Sequence, residues 1–319
     1  MTGAPLEGQG WRAQEIAPGA WFVRRGWLNG NHFVAPGPAP LLIDSGLGAD
    51  VAVTLAALAG LGVAPESVAT ILNSHCHPDH TGGNAELHRR SGCAIRMAAV
   101  AAARIAAQDA IATCWGFYDT QLWGEWGPVH GVIAPGEIIR FGALELEALP
   151  APGHSLGQMV FWAARERILF SADALWHGDF GIVNPLIDGD DALERTRETL
   201  NTLLRLEIET VYPGHGAPFA KPGPGILRCL KKLEAFAAAP ARMHEEHVRK
   251  SITYLLLNRG GMAEAELFDH LMASPWFPRL VDRYLGGDHR GVYEEALKGV
   301  LRGRMAERRD GRLIALGDR

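Results

Sequence analysis

The sequence predicts an α+β protein in two parts, a body of sheets flanked by helices and a helical tail. Three observations carry this expectation. From about residue 20 to residue 212, short apolar or β-branched runs alternate with stretches of helical periodicity. A Pro/Gly cluster, KPGPG at 221–225, then breaks the chain. Beyond residue 242 the strand runs give way to helical segments that end in a hairpin signal. The 319 residues therefore divide into a body over 1–220, a linker helix within 221–241 and a tail over 242–319.

The elements follow in order. WFVRR, PLLIDSG, ATILNSH, AIRMA, IIRF, LELEALP, MVFWAA, RILFSAD and TVYPGH read as strands, and several end directly in Asp, His or Gly. Residues 50–61, 82–91, 98–112 and 191–206 read as helices, with Asp50 and Asp191 as expected N-terminal caps. After the Pro/Gly break a helix is expected over 226–239, ending near Pro240. In the tail, 243–257, 263–272 and 292–302 read as helices, and Asp310-Gly311 sits between two short strands. Helices followed by a hairpin resemble a winged-helix module.

Composition excludes several classes. Hydrophobic residues are 47% and charged residues 21% of the chain, and mean hydropathy is −0.01, values of a folded globular protein. The longest apolar stretches, 51–64 and 93–107, are interrupted by Thr54 and Gly60 or by Arg96 and Arg104, so no membrane span is expected. The first residues lack a basic start followed by an apolar run, and a cytoplasmic protein is expected. Cys76, Cys93, Cys114 and Cys229 form no CxxC pair, which argues against a disulfide framework or a thiolate zinc site. Net charge is −5, with the tail at +2 on 14 basic and 12 acidic side chains. Such a field does not collect polyanions, so nucleic acid is not an expected partner.

The chemistry is concentrated after ATILNS. There His75-Cys76-His77-Pro78-Asp79-His80 places three imidazoles and a carboxylate within six residues, the donors that zinc and similar divalent ions prefer. The same donor types recur at strand or loop ends: His154 in PAPGHSLGQ, Asp173 in ILFSADAL and His215 in VYPGHG. Gly153, Gly214 and Gly216 supply tight turns beside them.

Together, in this order and spacing, these residues resemble the ligand pattern of the metallo-β-lactamase superfamily from about residue 20 to residue 219. The resemblance implies a four-layer αββα sandwich with two metal ions at one edge of its sheets. It implies that His75, His77 and His154 bind the first ion, that Asp79, His80 and His215 bind the second, and that Asp173 bridges both. Asp79 and Asp173 then count as catalytic as well as ligating. Asp44, ending PLLIDSG, matches a position that supports the site by accepting a ligand's hydrogen bond, although it also reads as a turn residue before Gly46. Retention of Asp173 disfavours antibiotic hydrolysis, and His77 stands where flavodiiron relatives carry Glu. The branches left include glyoxalase II-like thioesterases, lactonases, persulfide dioxygenases and winged-helix-tailed hydrolases resembling β-lactamase-like protein 2.

The function implied is that of a dinuclear hydrolase attacking an ester, thioester or lactone carbonyl of a small-molecule or acyl substrate. Two divalent ions about 3.5–4 Å apart can hold a bridging hydroxide at neutral pH. Zinc is the first choice of ion, with iron or manganese as alternatives. A thiolate leaving group needs little protonation. Alternatives are a phosphodiesterase or endoribonuclease of the same fold, or an iron-dependent persulfide dioxygenase. Two segments are expected to wall the pocket: the aromatic insertion 114–129, with Trp123 and Trp126 as a lid, and ALWHGDFGIVNP after Asp173, with Trp176, His177 and Asp179. The other histidines, among them His32, His244 and His247, read as structural or solvated. The tail's apolar positions Ile252, Leu255, Leu256, Leu267, Leu271, Val300 and Leu301 need cover, from the body or from a second subunit in a homodimer.

Overall fold

The computed structural model describes residues 6–115 and 125–317. The first sheet runs in chain order: β1 (Leu6–Gly8), β2 (Trp11–Ala17), β3 (Ala20–Arg24), β4 (His32–Ala35), β5 (Leu41–Ile43), β6 (Thr70–Leu72), β7 (Ala94–Met97) and β8 (Gly131–Val132). Its first five strands are an antiparallel meander, and β5 to β8 are parallel. The second sheet has the order β14-β13-β12-β11-β10-β9, built from β9 (Ile138–Phe141), β10 (Leu144–Pro150), β11 (Met159–Ala163), β12 (Ile168–Ala172), β13 (Thr210–Pro213) and β14 (Phe219–Ala220). The first sheet thus begins well before residue 20, at strands too short or too mixed in pattern to be read from the sequence.

Strand alternation builds the layers, because successive side chains leave opposite faces. Phe22, Ile43, Leu72, Phe161, Phe170 and Tyr212 face inward between the sheets, and Phe33 stacks on Phe170 at 3.9 Å. Their neighbours Val23, Leu42 and Ile71 face outward and are covered by α1 (Val51–Gly60), α3 (Asn84–Ser91) and α4 (Ala99–Ala106). On the other side Val160, Leu169 and Val211 are covered by α6 (Ala192–Arg205) and α7 (Gly223–Ala238). The four αββα layers follow. The helix expected as a linker is α7, which places Ile226, Cys229, Leu233 and Phe236 in this outer layer.

Two expected caps are corrected. Asp50 and Asp191 make no side-chain cap bond; Asp50 instead accepts from Asn29 Nδ2 at 2.8 Å, and Asp191 pairs with Arg195. The helix expected over 98–112 ends at Ala106, where the chain turns.

The tail runs α8 (Ala241–Arg259), β15 (Met262–Ala263), α9 (Glu264–Ala273), α10 (Phe277–Tyr284), α11 (His289–Arg302), then the hairpin β16 (Ala306–Arg309) and β17 (Arg312–Ala315). β15 pairs with β17, so the three short strands form an antiparallel sheet in the order β15-β17-β16. Ile252, Leu255, Leu256, Leu267, Leu271 and Val300 are covered within the tail, around Trp276, Phe277, Leu280 and Val281. A second subunit is therefore not what buries them. α10 escaped the sequence reading because SPWFP looks like a turn, whereas Pro278 sits in the first helical turn, where its missing N–H costs nothing. Among the described residues no helix is long and apolar enough to cross a membrane.

Candidate metal centre

Parallel strands deliver the donors to one edge. Asp44 follows β5, His75 and His77 follow β6, His80 lies on the single turn α2 (Pro78–Thr81), and Asp173 and His215 follow β12 and β13. His154 comes from the β10–β11 turn. The close packing has a backbone requirement: a Cβ on Gly214 would lie 2.2 Å from Asp173 Oδ1, and one on Gly30 would lie 2.7 Å from His80 Cε1. Only glycine lets those chain segments approach.

The donors form two adjoining groups, His75 with His77 and His154, and Asp79 with His80, Asp173 and His215, the donor atoms of each group lying within 4.8 Å of one another. Asp173 stands between the groups. Its Oδ2 is 3.4 Å from His154 Nε2 and 3.5 Å from His215 Nε2, and its Oδ1 is 3.6 Å from His80 Nε2. Asp79 Oδ2 lies 3.1 Å from His215 Nε2.

Second contacts aim the rings. Asp44 Oδ2 is 2.8 Å from His80 Nδ1, Ser74 Oγ is 3.0 Å from His75 Nδ1, and the Ile182 carbonyl accepts from His154 Nδ1 at 2.8 Å. Each holds one ring nitrogen and turns the other toward the centre. The result is a set of buried Nε2 atoms, on His75, His77, His80 and His154, with no hydrogen-bond partner. Buried nitrogens are ordinarily paired, so four converging orphans beside two carboxylates fit divalent cations.

Electrostatics agree with this. Burial holds His75 and His77 well below the usual histidine range, with neighbouring imidazoles acting in the same direction, so both are neutral donors. Burial opposes charge on His80 as well, yet Asp44, Asp79 and Asp173 together raise it well above that range. Burial would raise Asp173, but His215 and His80 hold it well below the usual carboxylate value. The cluster thus keeps ionised carboxylates out of water, a costly arrangement that a bound cation offsets.

A cavity of about 540 Å³ opens on the cluster and is lined by His77, Asp79, His154, Asp173 and His215. Trp176 and His177 line it, and Trp176 Nε1 donates to Asp173 Oδ1 at 3.2 Å. Asp179 lines it too, held between Lys232 at 2.7 Å and Lys250 at 3.0 Å. Trp126 is corrected: it stacks on Trp115 at 4.6 Å and packs on the outer helical face of the first sheet, away from the cavity lining. Trp123 lies outside the described residues. Sequence reasoning missed Trp27 and the tail residues Ser251, Tyr254, Leu257, Arg304 and Met305, all of which line the cavity. No local motif marks them.

Residues 26–215 match the family described as Metallo-beta-lactamase superfamily. The chain belongs to that superfamily. Its His/Asp cluster is suited to a dinuclear metal site. Among relatives, the hydroxyacylglutathione hydrolase of Methylococcus capsulatus is 30% identical over 65% of this chain and 78% of its own length. That of Rhodospirillum rubrum is 31% identical over 47% of this chain, and the match spans only about half of that relative's length, 48%. The acyl-coenzyme A thioesterase MBLAC2 of Gallus gallus is 26% identical over 61% of this chain and 76% of its own. In fold, the chain is similar to a metallo-beta-lactamase family protein of Thermus thermophilus, with a TM-score of 0.57 and 20% identity over 94% of this chain and all of that one (100%). It is also similar to a subclass B3 metallo-beta-lactamase of Bradyrhizobium japonicum, with a TM-score of 0.54 and 20% identity over 72% of this chain and 93% of that one.

Proposed function

We propose that this protein hydrolyses an acyl thioester. The observation that carries the reading is the complete donor set around Asp173, with four orphaned imidazole nitrogens aimed at one centre. The likeness to hydroxyacylglutathione hydrolases and to an acyl-coenzyme A thioesterase supports the same reaction class.

His75, His77 and His154 would hold one ion, Asp79, His80 and His215 the other, and Asp173 both. Two ions so held would supply a nucleophile from water at neutral pH and would polarise the attacked carbonyl. The protein's own part is positional. Asp44 fixes the His80 ring, the Ile182 carbonyl fixes that of His154, and Trp176 donates to Asp173 Oδ1. The carboxyls lining the cavity outside the cluster are already engaged, Asp188 with Arg104 and Asp179 with two lysines. A lining with no free carboxylic acid among the described residues suits a leaving group that departs as a thiolate, whose parent pKa is about 8.5. Imidazole and carboxylate donors suit zinc, iron and manganese alike, and zinc is the ion proposed.

Metal analysis of the purified protein, followed by release of free thiol from a thioester series, tests the reading. Lactones, β-lactams and phosphodiesters serve as comparators. Thiol release that depends on the metal is the expected result; cleavage of phosphodiesters without thiol release would overturn it.

A further inference from the structure

The cavity joins two parts of the chain. Asp173, Trp176 and Ile182 come from the body, whereas Ser251, Tyr254 and Leu257 come from α8 and Arg304, Met305 and Leu316 come from the tail's terminal hairpin region. Its walls are mainly apolar, formed by Trp27, Ile182, Ile187, Leu257, Met305 and Leu316. Such a surface binds a hydrocarbon chain by excluding water.

Most polar groups on the wall are committed. Lys250 donates to the Phe180 carbonyl at 2.8 Å and pairs with Asp179. Tyr254 donates to the Leu28 carbonyl at 2.5 Å, Thr253 to that of Arg249 at 3.0 Å, and Asp188 accepts from Arg104 and from Leu156 N. Two groups stand apart. Ser251 is 2% exposed, and its Oγ has no hydrogen-bond partner. A buried hydroxyl left unpaired costs free energy that a ligand group can recover. Arg304 is exposed on the cavity lining and forms no ion pair among the described residues, while the other lysine and acidic side chains lining the cavity outside the metal cluster are paired. An uncompensated guanidinium beside an apolar cavity selects for an anion on whatever enters.

We propose that the tail is the specificity half of the active site: the cavity takes a thioester with an apolar acyl chain on an anionic thiol carrier, Arg304 binding the carrier's negative charge and Ser251 Oγ bonding a polar group of the bound molecule. The inference rests on the reading of the site as a thioesterase. The carrier's anion can be a carboxylate or a phosphate, since a guanidinium pairs bidentately with either.

Unreactive ligands test this apart from turnover. The full-length protein, its metal content measured, is titrated by calorimetry with the S-octyl thioethers of coenzyme A, glutathione and neutral N-acetylcysteamine. Native protein prefers one or both anionic ligands over the neutral one. Arg304→Glu lowers that preference about tenfold, the size of one lost charge contact, and Arg304→Lys retains part of it. Loss for the coenzyme A ligand alone identifies a phosphate as the anion, and loss for the glutathione ligand alone identifies a carboxylate. Ser251→Ala weakens binding severalfold without lowering the melting temperature, because the hydroxyl removed supports nothing in the fold. An Arg304→Glu protein with unchanged preference overturns the proposal, as does a Ser251→Ala protein that binds normally but melts earlier. Thioether binding with the charge preference but no thioester hydrolysis overturns the reaction and leaves the subsite standing; hydrolysis with no charge preference does the reverse.

Discussion

Asp44 Oδ2 lies 2.8 Å from His80 Nδ1, and both side chains are buried. The same carboxylate accepts from Ser74 N and Ser74 Oγ at 2.8 Å, so Asp44 ties β5 to the segment that carries His75. It does so from a left-handed backbone conformation, φ 63°, which Asn also tolerates. Asp44→Asn therefore keeps the turn and removes the charge behind His80. Metal titration is expected to show affinity of the second group reduced about 10–100-fold with the melting temperature little changed. Unaltered affinity would return Asp44 to the role of a turn residue.

Asp173 reaches His154 on one side and His80 and His215 on the other. Asp173→Ala should lower metal content from two ions toward one and reduce turnover by roughly 100-fold or more. Elemental analysis and steady-state rates check both. A variant that keeps two ions and a near-native rate defeats the bridging role.

Arg104 and Asp188 form a buried pair at 2.9 Å, with side chains 13% and 2% exposed. Arg104 also donates to the Ala112 carbonyl at 3.1 Å, and Asp188 accepts from Leu156 N at 2.9 Å, next to the turn that presents His154. Burial raises the Asp188 carboxyl and Arg104 opposes that rise. Arg104→Met strands the carboxylate, which costs about 3–5 kcal/mol in such settings. Urea denaturation should show a smaller loss for the double variant with Asp188→Leu. Equal losses in single and double variants would remove the pair from the account.

Acid should loosen the tail. His244 stacks on Tyr284 and His247 on Trp276, with ring planes 5° and 3° apart. Burial lowers His244 to about 4 and His247 to about 3, with His244 and Lys250 adding to the effect on His247. In the unfolded chain both titrate near 6.5. Below that pH the unfolded chain binds more protons than the folded one, so stability falls as pH drops from about 6.5 toward about 3–4. It is fully present above that window. Chemical denaturation at several pH values should give a shallower slope for His247→Phe than for the native protein; parallel slopes would exclude the residue.

The His/Asp cluster was legible because metal-ligand chemistry restricts residue type and spacing. His75, His77, Asp79 and His80 fall within six positions after one strand, and His154, Asp173 and His215 each end a recognisable strand or turn. Trp126 was misread for the opposite reason. An aromatic side chain beside glycines fits a lid or a sheet cover equally well, and its stacking on Trp115 decided for the cover.

The sequence by itself determined a body of sheets flanked by helices, a helical tail and a set of His and Asp residues at strand and loop ends, since alternation and turn residues act over a few neighbouring positions; the αββα layering and the grouping of those residues were implied by the family resemblance. Only the tertiary structure decided who shares the cavity. Ser251 and Arg304 meet Trp176 and Ile182 because the tail builds its own core around Trp276 and Phe277 and docks through contacts such as Tyr254 to the Leu28 carbonyl. A helical face shows in sequence that it must be covered. What covers it is chosen by long-range packing, which leaves no periodic trace in the chain.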